Sequence, residues 1–346
     1  MDVSSAQTPE TNPSPGAETP DRVLEAKLNL QRKAALAFGG ARDHAGRVEI
    51  ARMERFDMSR TIFGGLEGLI PRLVMEDKLA KEARWDAGAA AEVEAEYTAH
   101  EAAHPVPAID HRLIDFMVDE CDFSMEHADG TFLEHLVFCH NYAFKYFPGH
   151  SPNIALLHSI LGTGTNTFAM KAEKSPQLKS LLTDEEFLQV ETFPTTLRLL
   201  YDQALLAELG ANVHRLDKLD ALHCHRVIDN APIALDMESF WVNLNFHLMH
   251  FVDFMPAANW ATHRGDPLLQ MFEALSNLLD EAGQRRAQVQ VNFPQSASQP
   301  QREALSVVGR ISGAMPRSIT QSMARKSIRK YSNRIGHDLS YRLEWR

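Results

Sequence analysis

Two histidines sit where apolar helices should bury them. His135 follows Phe132 and Leu133 and precedes Leu136 and Val137, with Phe138 and Tyr142 continuing the apolar covering. His158 ends the run Ile154-Ala155-Leu156-Leu157. Between them lies Pro148-Gly149-His150-Ser151-Pro152, a dense turn signal. The segment therefore reads as two short helices, the second starting at Pro152 and ending at Gly162-Thr163. A buried imidazole needs a hydrogen-bonding partner or a metal. A metal held there would activate water for hydrolysis, or, if redox-active, would work with dioxygen. A second pattern is His100-Glu101-Ala102-Ala103-His104. Histidines at i and i+4 share a helix face, and Glu101 would serve as general base, the arrangement of zinc peptidases. Against it, the preceding AEVEAEYTA is too polar for a buried active-site helix, and Pro105 pushes His104 out of helical geometry. It stands as a minor alternative. A third pattern is the seam His247, His250, Asp253 along an otherwise aromatic helix, which faces a polar cavity or lies at the rim of the packed face.

Taken together, LEHL around His135 and ALLHSILGT around His158 resemble the core of the HD (His-Asp) superfamily of all-helical metalloproteins, over roughly residues 125 to 260. Ser159 stands where the name-giving aspartate belongs, and the chain is similar to a branch in which H-S-x-x-G-T replaces H-D. The resemblance implies two further ligands: His127, eight residues before His135, and Asp253 on a late helix. The implied site is His127, His135, His158 and Asp253 around one divalent metal, iron, zinc or manganese, with Ser159, Thr163 and His250 lining the adjoining pocket. It implies a metal-dependent phosphoester hydrolase or an iron oxygenase acting on a small molecule. Without the aspartate, a mononuclear centre replaces the two-metal one. The alternative is a non-catalytic HD-like scaffold or binding protein in which His135 and His158 are packed, hydrogen-bonded core groups.

The elements that must position these residues are helical throughout. The expected fold is an all-α, HD-like helical bundle with helical extensions at both ends. Residues 1–20, rich in Pro, Ser, Thr and Glu, read as a disordered tail. Residues 21–105 form a helical N-terminal extension, with one helix over 22–38 stopped at Gly39-Gly40 and an Ala/Glu-rich helix before Pro105. Residues 106–265 form the core domain. In it, Thr183 and Glu186 make a capping box, Pro194 interrupts or ends the helix that follows, and a further helix runs from about Thr195 to Leu209. His223 and His225, at i and i+2, point to different faces if that stretch is helical. Asp236 caps the helix from Met237 to Phe254. Residues 266–346 form a C-terminal helical extension, with a polar linker at 292–302 and a basic tail. The tail is suited to an anionic surface or another subunit, or neutralises the acidic body.

The formal net charge of −11 argues against non-specific nucleic-acid binding. No apolar run approaches the roughly 20 residues of a membrane span, and the N-terminus lacks the features of a secretory signal. Cys121, Cys139 and Cys224 form no CxxC, so no disulfide framework is expected and the compartment is cytoplasmic in type. The polar loop after Thr163, with Thr165 and Asn166, reads as a pocket wall or an ordinary surface loop.

Overall fold

A computed structural model describes residues 30, 32–39, 48–51, 82–85, 87–120, 126–127, 130–162, 170–254, 265–290, 307, 311 and 314–346. The expected tail at 1–20, Thr163 with the loop after it, the linker at 292–302 and the side chain of His127 lie outside the described residues. Among the described residues the fold is predominantly all-α, with two small two-stranded sheets, β1 (Val48–Ala51) with β2 (Glu82–Trp85) and β3 (Glu126–His127) with β4 (Gly130–Thr131), and one three-stranded sheet. The helices are α1 (32–38), α2 (Ala87–Ala103), α3 (His111–Glu120), α4 (Phe132–Tyr146), α5 (Pro152–Leu157), α6 (Ser175–Ser180), α7 (Asp184–Asp202), α8 (Ala204–Ala211), α9 (Met237–Phe254), α10 (Pro267–Glu281) and α11 (Arg317–Ile335). Among the described residues no helix is long and apolar enough to cross a membrane.

Local chemistry sets several helix ends. Ser151 accepts from the Asn153 N–H at the start of α5, with Pro152 at the first helical position. Thr183 and Glu186 form a full capping box at the start of α7. Asp236 accepts from the Ser239 N–H ahead of α9. Gly39 ends α1 at φ +79, where a Cβ would meet the Tyr146 ring at 3.1 Å. The Tyr142 and Tyr146 hydroxyls donate to the carbonyls of Gly39 and Leu36. These two bonds fasten α1 across α4, and so decide where Arg32 points.

Two local expectations differ from what is seen. Helix α7 runs through Pro194 without a break and stops at Gln203, which takes a left-handed φ of 65. The proline withholds an N–H from the helix ladder. Nearby, Thr192 and Thr196 hydroxyls donate to the carbonyls of Leu188 and Thr192, and the surrounding positions are buried on all sides. Tertiary packing thus holds the helix through its weak point. The stretch with His223 and His225 is a strand, β5 (Leu219–His225), at the centre of an antiparallel sheet with β6 (Pro232–Asp236) and β7 (Arg342–Trp345). Both histidines therefore share a face; they meet Glu344 and Asp338, the first at 2.6 Å and the second at 3.7 Å, and not each other. Since β7 pairs with β5, the C-terminal segment is built into the same sheet as residues of the core.

Among the described residues the interior has two apolar clusters. The larger draws on α1, α4, α5, α7, α9, α10 and the sheet, from Ala35 to Leu343. The smaller joins α3, α4, α5 and α7 through Met117, Leu136, Leu156 and Val190. The α4–α5 hairpin contributes to both. His135 precedes Leu136 of the smaller cluster, and Cys139, four residues on, belongs to the larger, so the hairpin carries its polar residues between the two.

Candidate metal centre

His135 and Cys139 lie one turn apart on α4, on the same face. His158 stands at the C-cap of α5. All three are buried. Their ligand atoms lie within 4.8 Å of one another, and together these residues can hold a metal ion. Cys139 Sγ flanks the His135 ring, 3.8 Å from Nδ1 and 3.7 Å from Nε2. The two imidazoles meet through their Nε2 atoms at 3.3 Å, with the rings edge to face.

The hydrogen bonds fix which nitrogens carry protons. His158 Nδ1 lies 2.6 Å from the carbonyl oxygen of Ala155, which can only accept, so Nδ1–H is the donor. His135 Nδ1 lies 2.7 Å from Asp253 Oδ2 and likewise donates to it. In the neutral rings both Nε2 atoms then present lone pairs to each other. A direct approach of two lone pairs is repulsive, and 3.3 Å is beyond the roughly 2.7–3.2 Å usual for hydrogen bonds from N–H donors. Two imidazole nitrogens bound tetrahedrally to one zinc-like ion, each at about 2.05 Å, stand about 3.3 Å apart. The residues therefore fit a metal ion.

Electrostatics keep His158 in the neutral form, the form that ligates metals. Burial, reinforced by the neighbouring His135 ring, pushes His158 well below the usual imidazole range.

Asp253 stands behind His135, on its Nδ1 side, rather than within the converging ligand group. Burial alone would raise its carboxyl, yet Arg32 and His135 hold it well below the ordinary carboxylate range. Arg32 donates from Nε to Oδ1 at 3.0 Å, and its Nη1 lies 3.8 Å from Glu134. A carboxylate on the far nitrogen of a ligating histidine orients the ring and strengthens its donation. His250 packs edge-on against both rings, 5.2 Å from His135 and 4.6 Å from His158 between centroids. Phe193 closes the other side, 4.7 Å from His158. Ser159 is buried beside His158. His127 lies on a two-residue strand paired to Gly130, before α4.

Of the sequence-derived set, His135, His158, Asp253 and His250 come together, and Ser159 is buried next to His158 in the chain. Cys139 and Arg32 were missed. Cys139 had a readable signal, its i+4 spacing from His135 on an apolar helix face; Arg32 had none, since its meeting with Asp253 spans 221 residues.

The His100-Glu101-His104 pattern is arranged differently. Lys145, its side chain only 2% exposed, places its ammonium 2.5 Å from Glu101 and 3.0 Å from His100 Nδ1, and donates to the His104 carbonyl. The lysine stands where a metal would approach His100, and the three residues do not form a converging ligand group among the described residues.

Fold and site define a mainly helical protein with a buried imidazole–thiol cluster backed by a carboxylate. No protein-family model matches the chain, and neither do any curated protein or solved structure.

Proposed function

We propose that this protein is a mononuclear metal-dependent enzyme of HD-like type acting on a small molecule. The observation that carries the reading is the opposed pair of Nε2 lone pairs, His135 and His158, 3.3 Å apart beside the Cys139 thiol. Three protein ligands leave a coordination position for water or substrate, as catalytic sites do. Imidazole and thiolate together suit zinc or ferrous iron and suit manganese poorly. Bound zinc would supply Lewis acidity for hydrolysis, and bound iron would supply redox chemistry with dioxygen. Around either, Asp253 holds the His135 proton on Nδ1, the Ala155 carbonyl fixes His158, and Phe193 packs against the His158 ring. A reducing, cytoplasmic-type compartment keeps Cys139 as a free cysteine rather than a disulfide. The acidic balance of the chain favours a small-molecule substrate over nucleic acid.

The test is elemental analysis of the purified full chain beside a His158→Ala variant. About one zinc or iron per chain, lost in the variant, supports the reading; iron directs the search to oxygen-dependent turnover, zinc to hydrolysis. A second reading, a non-catalytic scaffold, is favoured by Ser159 in place of the superfamily aspartate. It prevails if neither protein takes up metal after reconstitution.

A further inference from the structure

His247 is fully buried, and neither of its ring nitrogens meets a hydrogen-bond partner among the described residues. A neutral imidazole has one donor and one acceptor, and an apolar interior tolerates neither unmet. Its place is informative. On α9 it precedes His250 by three residues, about one turn, and so lies beside it on the helix. Its ring stacks on Phe193 at 3.9 Å, and Phe193 in turn meets His158 at 4.7 Å and His250 at 5.4 Å. It is not part of the converging ligand group itself. An imidazole with both valences open thus lies in the same interior as the centre, one aromatic ring away from His158.

We infer that His247 anchors the molecule that enters the centre's remaining coordination position, and that this molecule is small, uncharged and carries a carbonyl or hydroxyl group. The inference rests on the metal-centre reading. The anchor follows from the two unmet nitrogens. The charge follows from the surroundings. Around the cluster the walls are Phe193 and, beside His250, Phe251. Among the described residues the guanidinium that reaches the cluster is that of Arg32, ion-paired with Asp253 on the far side of the His135 ring. An uncharged molecule enters such an interior at far lower cost than a phosphate dianion. His247 is on this account a positioning residue, holding the bound molecule by one hydrogen bond while the metal holds its other end.

The experiment uses the full chain loaded with cobalt(II), whose visible spectrum reports changes at the ion, and acetamide as the probe. Acetamide should perturb the spectrum of the parent saturably, and inorganic phosphate should bind more weakly. His247→Phe keeps the stack on Phe193 and removes both nitrogens. It should bind cobalt with parental affinity and spectrum, while its acetamide dissociation constant rises roughly tenfold, the usual effect of one lost hydrogen bond. His247→Gln, which still donates and accepts, should recover most of the affinity; a residue that only fills space would gain nothing from that change. Unchanged acetamide affinity in His247→Phe would overturn the inference and assign the ring to a structural water. Loss of cobalt affinity in both variants would overturn it in favour of direct ligation. Tighter binding of phosphate than acetamide would overturn the uncharged class. A parent protein that takes up no cobalt would sink the metal-centre reading, and this inference with it.

Discussion

Replacing Asp253 by asparagine isolates one buried charge without changing its shape. The carboxylate, 2% exposed, accepts from Arg32 Nε at 3.0 Å and from His135 Nδ1 at 2.7 Å. Each is a hydrogen bond to a charged group, worth about 1.5–3 kcal/mol. Arg32, with its side chain 14% exposed, loses this closer counter-charge in the variant, while Glu134 stays 3.8 Å from its Nη1. Breaking one side of a buried pair costs about 3–5 kcal/mol, and partial exposure of Arg32 places the expectation at the lower end, about 3 kcal/mol. The amide also offers His135 Nδ1 either an acceptor or a clashing donor, so the ring loses its fixed orientation. Losing such a partner typically lowers metal affinity 10- to 100-fold. The assay is urea unfolding of the metal-free protein, followed by competitive zinc titration. Arg32→Met with Asp253→Asn should be less destabilised than the sum of the two single variants, because the double variant leaves no orphan charge. The pH dependence has a definite sign. The folded carboxyl sits below its unfolded value, so its contribution is present above about pH 4 and is lost as pH falls from there toward the folded value. An Asp253→Asn protein within 0.5 kcal/mol of the parent, with unchanged zinc affinity, would refute the reasoning.

Three further outcomes are expected. Cys139→Ser should fold as the parent does but bind zinc at least tenfold more weakly, measured by the same competition; equal affinity would remove the thiolate from the centre. His100→Ala should leave metal content unchanged, whereas Lys145→Met should cost about 1–3 kcal/mol of stability by leaving the 30%-exposed Glu101 of α2 without its ammonium partner, read by urea unfolding. His337 is held at about 4 by burial, its Nε2–H donating to the His225 carbonyl and its Nδ1 facing Arg198. The unfolded chain therefore takes up this proton first, and stability should fall as pH drops from about 6.5 to about 4. His337→Gln should flatten that part of the stability–pH curve, and an unaltered curve would show that another group carries it.

What the sequence determined by itself is mostly local. Ser151-Pro152, Thr183 with Glu186, and Asp236 set helix starts through bonds spanning two or three residues, and those starts appear where the composition places them. The apolar runs around His135 and His158 already required both rings to be buried. Local rules failed where distant packing outweighed them. Pro194 signals a break, yet the helix is surrounded on all sides and continues. The stretch from Leu219 to His225 becomes a strand because β6 and β7, the latter more than a hundred residues away, supply its hydrogen-bonding partners. The site divides in the same way. The i, i+4 spacing of His135 and Cys139 is a property of one helix. The tautomers that turn both Nε2 atoms inward depend on Asp253 and the Ala155 carbonyl, and Asp253 in turn on Arg32. Those charges meet only because α1, held across α4 by Tyr142 and Tyr146, crosses the end of α9, and a contact over 221 residues has no trace in sequence spacing.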